Sequence, residues 1–206
     1  MAEQLTQQRV AFEDPFQNVP KVEVRFPDRK GVKTQIWEVA LADLKLENRT
    51  YASPRGIGMT LGEAKAHVND YFKSRNERLL PPYVLMEIAE NLQYGSLFDS
   101  MIGHWYLADA EVERKNGKAH LKVDGKRHRI EDISEEVRHL DENLWPASKG
   151  REVTRRTYAY TNRSDGDYAV DVCFWDDGDC DADVGSDYGL ADLDSDVRLR
   201  VGRRVV

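Results

Sequence analysis

Between Ser164 and Asp196 the chain carries twelve Asp, no Glu, and no Lys or Arg, and this stretch constrains the fold more than any other. Two neighbouring carboxylates about 6 Å apart repel by only about 0.7 kcal/mol in water, and salt screens more distant pairs, so twelve exposed aspartates are tolerable. Val170, Val172, Phe174, Trp175, Val184, Leu190 and Leu193 interleave with the acids. The segment is therefore expected to fold against a core, anchored by these apolar positions, with its carboxylates fanned outward. Removing those twelve charges from a net −7 leaves the other 173 residues at +5. The chain reads as a mildly basic body carrying one acidic segment.

The body is long enough for one sizeable core: 206 residues with 40% hydrophobic side chains fit a single globular domain over 1–206. No apolar run approaches the ~18 residues of a spanning helix, so membrane insertion is not expected. The start, Met1 to Arg9, has neither a basic nor an apolar signal region, so no signal peptide is expected and localisation stays open. Residues 1–20 are polar with two prolines and read as a loosely held leader.

Val22 to Phe26 alternates apolar and charged residues, as a half-buried strand does, and Thr34 to Leu46 is the next strand or strand pair. Thr60-Leu61-Gly62-Glu63 is a capping box, and Leu61, Ala64, Val68 and Tyr71 behind it recur at helical spacing. A second helix is expected after Pro81-Pro82, running through Leu85, Ile88 and Leu92, with Gly95 weakening or ending it. Strands follow from Trp105, turning at Asn116-Gly117 and Asp124-Gly125. Ser134 to Leu140 is a short helix, and Trp145 to Gly150 a loop. Thr154 to Thr161 and Tyr168 to Trp175 are strand candidates, and Val197 to Val201, within a final 197–206 segment, is the last. Strands, two helices, then many strands argue for an α+β fold with a mixed or antiparallel sheet and a mostly β C-terminal half.

Four readings of the acidic segment stand side by side. The plainest is a solvated acidic loop. A second is Ca²⁺ binding or a structural domain with an Asp-rich loop. Asp177-x-Asp179-x-Asp181 supplies three EF-hand ligand positions, but Ala182 and Tyr188 occupy the places of the required Gly and Glu. A third is imitation of a nucleic-acid backbone or contact with a basic partner, although such surfaces usually mix Asp with Glu. The fourth follows from residue choice. Ser164–Asp196 holds only Asp, Gly, Ala, Val, Ser, Tyr, Cys, Leu, Phe and one Trp, Trp175. Apart from that tryptophan, each is reachable by randomising the two adenines of an AAC or AAT codon, whereas Glu, Lys, Gln and Met are not.

On that residue set the segment resembles the variable region of a diversity-generating retroelement protein, whose C-terminal codons are rewritten at adenines. The resemblance is motif-specific over the last 45 or so residues. It implies a C-type lectin-like fold, with 164–196 as a variable ligand-binding region and a constant final strand. The Gly-Phe-Arg ending common in bacterial and phage relatives is replaced by Arg198-Leu199-Arg200, so the resemblance is to a divergent branch, with an archaeal type as one option.

If Tyr168 to Trp175 is a strand, Val170, Val172 and Phe174 pack inward; Asp171 and Cys173 on the other face are displayed, and Trp175 there is either a scaffold aromatic at the rim or part of the site. The expected ligand-binding set is Tyr168, Asp171, Cys173, Asp177, Asp179, Cys180, Asp181, Asp183, Ser186, Asp187, Tyr188 and Asp192. Tyr offers contact area at low entropy cost, and Ser, Gly and Asp offer adaptable polar contacts. The ligand expected for so negative a surface is a basic or polyhydroxyl protein or glycan, not nucleic acid. No cofactor is expected. The five histidines lack metal-ligand spacing, and neither cysteine has basic neighbours to lower its pKa. The plainest reading of the two cysteines is free thiols, with a disulfide closing the small loop from Cys173 to Cys180 as the alternative, and the chain reads as non-enzymatic.

Overall fold

A computed structural model describes residues 12–16, 19–28, 31–45, 52–130, 157–159, 164–175, 182–194 and 196–206. The expected helix at Ser134–Leu140, the loop from Trp145 and residues 176–181 of the acidic segment lie outside them.

The fold is α+β with strands dominant. In chain order the elements are β1 (Lys21–Asp28), β2 (Gly31–Val39), α1 (Leu61–Phe72), β3 (Glu77–Leu79), α2 (Pro82–Glu90), α3 (Gly95–Asp99), β4 (Trp105–Lys115), β5 (Lys118–Val123), β6 (Lys126–Ile130), β7 (Thr157–Ala159), β8 (Gly166–Phe174), β9 (Ala182–Gly185), β10 (Val197–Arg198) and β11 (Val201–Arg204). Two sheets form. One has the order β1-β2-β11-β3 and is antiparallel throughout. The other has the order β6-β5-β4-β8-β9-β7, with β10 beside β4; only β7 on β9 and β10 on β4 run parallel.

The capping box at α1 is formed: Thr60 Oγ1 accepts from the Glu63 amide at 3.3 Å, and the Glu63 carboxylate accepts from the Thr60 amide at 3.0 Å. Leu61, Ala64, Val68 and Phe72 are buried; Tyr71, expected on the buried face, is instead exposed beside it. α2 opens at Pro82 as expected and ends at Glu90, short of Leu92. Gly95, expected to weaken or end that helix, begins α3, which hydrophobic periodicity did not disclose. Asn116 and Gly117 take φ of 53° and 71°, and Asp124 and Gly125 take 51° and 69°, the left-handed pairs that two-residue hairpins need.

Two expectations need correction. The leader is partly tied down: Phe12 is buried against Tyr71 and Phe72, and its amide donates to Tyr71 Oη at 3.3 Å. The final strand is not continuous. Val197-Arg198 lies along β4, the chain crosses at Leu199-Arg200, and Val201–Arg204 enters the other sheet between β2 and β3. Asp43 holds this crossing, accepting from Arg198 Nη1 at 2.8 Å and Arg200 Nε at 3.0 Å, with Arg200 buried over the Tyr106 ring. The alternation of Val197 to Val201 gave no sign of it, because Arg200 occupies a position that reads as solvent-facing.

The cores lie on both faces of β8. Val170, Val172 and Phe174 join Trp37, the α2 side chains and Tyr106 on one face. On the other, Ala169 and Leu107 join Leu61, Val68, Phe72, Val197 and Leu199, with Trp105 and Leu190 packed alongside. A central strand covered on both faces is buried along its length, and Tyr168 to Phe174 are all buried.

Candidate functional site

The second half of the acidic segment, from β9 to β10, is laced to the scaffold through its backbone. Ala169 N donates to Tyr188 O at 2.9 Å and Leu190 N to Asp167 O at 3.0 Å. The first amides of α1 also serve it: Leu61 N donates to Asp192 O and Gly62 N to Leu190 O, each at 2.9 Å. A helix's opening amides have no partner within the helix, so these carbonyls fill a need that α1 creates. The approach is close enough at Gly62 that a Cβ would sit 3.2 Å from Leu190 O. Backbone anchoring of this kind leaves the side chains at 187, 188, 192 and 193 at the surface.

The expected ligand-binding residues divide into three groups. Asp187, Tyr188 and Asp192 are exposed and Asp183 is half-buried. Tyr168, Asp171, Cys173 and Ser186 are buried, which corrects the expectation that Asp171 and Cys173 are displayed. The alternation of apolar and polar residues along β8 distinguishes its two faces correctly, but the face bearing Asp171 and Cys173 lies beneath the second core rather than water. Asp177, Asp179, Cys180 and Asp181 lie outside the described residues.

Three large apolar side chains interspersed with the acids along the chain are exposed. Trp175 is 36% exposed, Tyr188 47% and Leu193 59%. Leu190 and Leu193 were both expected to anchor the segment; Leu190 packs against the core and Leu193 does not. Trp175 Nε1 donates to Asp183 Oδ2 at 2.6 Å, which fixes the indole beside a carboxylate. Asp192 Oδ2 accepts from Gly189 N at 2.7 Å, and Asp194 Oδ1 from Asp196 N at 2.8 Å. Asp194 and Leu193 belong to this surface, though neither was among the expected ligand-binding residues.

The electrostatics are those of acids crowded together. Burial pushes the Asp171 carboxyl up to about 7, with further upward contributions from Asp187 and Asp194. Its Oδ1 is buried with no hydrogen-bond partner. Burial raises Asp187 as well. The Tyr188 phenol is raised by Asp194 first, then by burial, Asp171, Asp187 and Asp196. Cys173 is a free thiol pushed up to about 12 by burial and by Asp183 and Asp171, the opposite of what a nucleophile requires. Gly185 faces Asp171 across the β8–β9 pair, and a side chain there would collide with the Asp171 carboxylate and meet the Trp105 ring.

Among the described residues no three His, Cys, Asp or Glu side chains are placed to hold a metal ion. No described helix is long and apolar enough to cross a membrane. A cleft of about 680 Å³ opens elsewhere, between α1, β3 and β11, and includes no residue of Ser164–Asp196. Its Arg78 is paired with Asp109 and Asp124, and its Glu77 with Arg75. No protein-family model, curated protein or solved structure matches the chain.

Proposed function

We propose that this chain is a binding protein that presents a diversified C-terminal surface on a C-type lectin-like scaffold, of the kind diversified by retroelements. The observation that carries the reading is the residue set of Ser164–Asp196: twelve Asp without a single Glu, Lys, Gln or Met, in a chain otherwise rich in Glu and Lys. Selection for negative charge alone has no reason to exclude Glu. Mutation confined to two codon positions does.

The architecture supports the reading in physical terms. The segment is held by strand pairing and by backbone bonds to α1, interactions that do not depend on which side chains it carries. Its buried apolar residues Val170, Val172, Phe174 and Val184 supply packing, while Asp183, Asp187, Tyr188, Asp192 and Leu193 meet solvent at least in part. Binding residues commonly sit on loops positioned by a rigid frame. Exposed aromatic and aliphatic groups interspersed with carboxylates along the segment suit a ligand with basic or polyhydroxyl character, on a protein or a glycan.

Sequencing the source DNA tests the reading. The expected result is a near-copy of the final coding stretch beside a reverse-transcriptase gene, differing only opposite adenines. A copy differing indiscriminately at all four bases, or none at all, overturns it. For the ligand class, titration against basic and acidic protein panels should favour basic partners; an acidic preference that persists across salt concentrations contradicts the electrostatic part.

A further inference from the structure

The chain carries a second charged segment, of the opposite sign to Ser164–Asp196. Residues 115–129, which contain β5 and most of β6, hold six Lys or Arg and one Asp, a net +5. That equals the whole excess charge of the body, so the chain outside the two segments sums to zero. Strand register places cations on one face of this ribbon. Lys118 and Lys122 share a face of β5; Lys115 lies opposite Lys118 on β4, and Arg127 opposite Lys122 on β6. Like charges directly opposite one another destabilise a sheet, and two such pairs occur side by side here. Glu113 relieves one of them, its Oε2 lying 3.1 Å from Lys122 Nζ and 3.3 Å from Arg127 Nη2. Lys115 and Lys118 are exposed and have no acidic partner among the described residues. The ribbon is packed through its other face, where Ala119 and Leu121 are buried.

We infer that this face docks the acidic segment of a second copy of the chain, each ribbon lying on the other copy's segment. The association rests only on the electrostatic part of the reading above, and is independent of how the aspartates arose. Charge complementarity selects the occupant: a net +5 ribbon against a segment of twelve Asp without a cation. Within one copy the start of the segment already touches the ribbon, where Asp165 Oδ2 accepts from the Asn116 amide at 2.9 Å. Farther on, Asp187, Asp192 and Asp196 are exposed. The sheet order β6-β5-β4-β8-β9-β7 sets β9, which leads into that stretch, four strands from β6, or about 19 Å at ~4.8 Å per strand. Reciprocal docking of two copies gives both charged surfaces a partner and closes on itself as a two-fold dimer. A nucleic acid suits the ribbon less well, because residues 115–129 contain no Phe, Tyr or Trp on which a base could stack. Each copy's net −7 opposes the approach, but salt confines that repulsion to a Debye length of about 8 Å, whereas the docked charges meet directly. Exposed ion pairs are individually weak, so the dimer is a reversible one.

Sedimentation velocity on the full chain is the test. A concentration-dependent monomer–dimer equilibrium is expected at about 0.15 M NaCl, with a dissociation constant about tenfold or more higher at about 1 M, where the Debye length falls to about 3 Å. Two charge-reversed proteins carry the decisive comparison: Lys115→Glu with Lys118→Glu on the ribbon, and Asp187→Lys with Asp196→Lys on the segment. All four positions are exposed, and circular dichroism checks that both proteins fold. Each alone should dimerise about tenfold more weakly than the wild type. Mixed in equal amounts, they should associate more tightly than either does alone, because each ribbon then meets a segment of opposite sign; loss of folding cannot produce that recovery. A wild-type chain that stays monomeric, a dimer indifferent to salt, or a mixture no better than its components overturns the docking. So does a monomeric chain whose ribbon binds single-stranded poly-deoxythymidine instead. The diversification reading is tested on the coding DNA and shares none of these readouts, so the two can fail separately.

Discussion

Replacing Asp171 by Asn should change stability more favourably at pH 8 than at pH 5. The carboxyl's ordinary value is 3.8 and the folded value is about 7, so the folded chain binds the proton more tightly than the unfolded one. A group raised in this way favours folding at low pH, and its penalty grows as pH rises from about 4 to about 7 before levelling off. With about 1.4 kcal/mol per pH unit, the penalty of ionising Asp171 is about 4 kcal/mol at pH 8 and about 2 kcal/mol at pH 5. Asn retains the shape and cannot ionise, but its amide enters the same unpartnered site at a cost of about 1–3 kcal/mol. That cost does not vary with pH. The absolute gain depends on it; the difference between the two pH values does not. Urea denaturation of both proteins at pH 5 and pH 8 should give stability differences that diverge by about 2–3 kcal/mol. Identical differences at the two pH values would refute the reasoning, because they would mean that Asp171 ionises normally in the folded chain.

Other substitutions probe the frame around this site. Asp43→Ala leaves Arg200 buried without its counter-ion and should cost about 3–5 kcal/mol in urea denaturation. Gly185→Ala puts a methyl group against the Asp171 carboxylate and the Trp105 ring, with an expected loss of about 1–3 kcal/mol and a lower melting temperature. Thr60→Ala removes the α1 cap and should cost about 1 kcal/mol, measured the same way. Exchanging Tyr188 or Leu193 for Ser should leave stability within about 0.5 kcal/mol while abolishing or redirecting ligand binding, whereas Val172→Asp should prevent folding.

Much of this protein is legible in its residues because local rules act locally. The Thr60–Glu63 box, the Pro82 helix start and the Asn116-Gly117 and Asp124-Gly125 turns are each specified by a few neighbouring side chains. The restricted residue set of Ser164–Asp196 is likewise a property of the sequence alone. What the sequence left open was which faces would be covered. Strand alternation separates Asp171 and Cys173 from Val170 and Val172, but cannot say that α1 and the returning loop at Leu190 will close over the more polar face. Nor does alternation reveal that the chain leaves one sheet at Leu199 and enters the other at Val201, a crossing held by Asp43, more than 150 residues away in sequence. Burial of a strand's second face is decided by segments distant along the chain. Only tertiary structure, therefore, could turn Asp171 from a displayed side chain into a buried carboxyl whose Oδ1 has no partner.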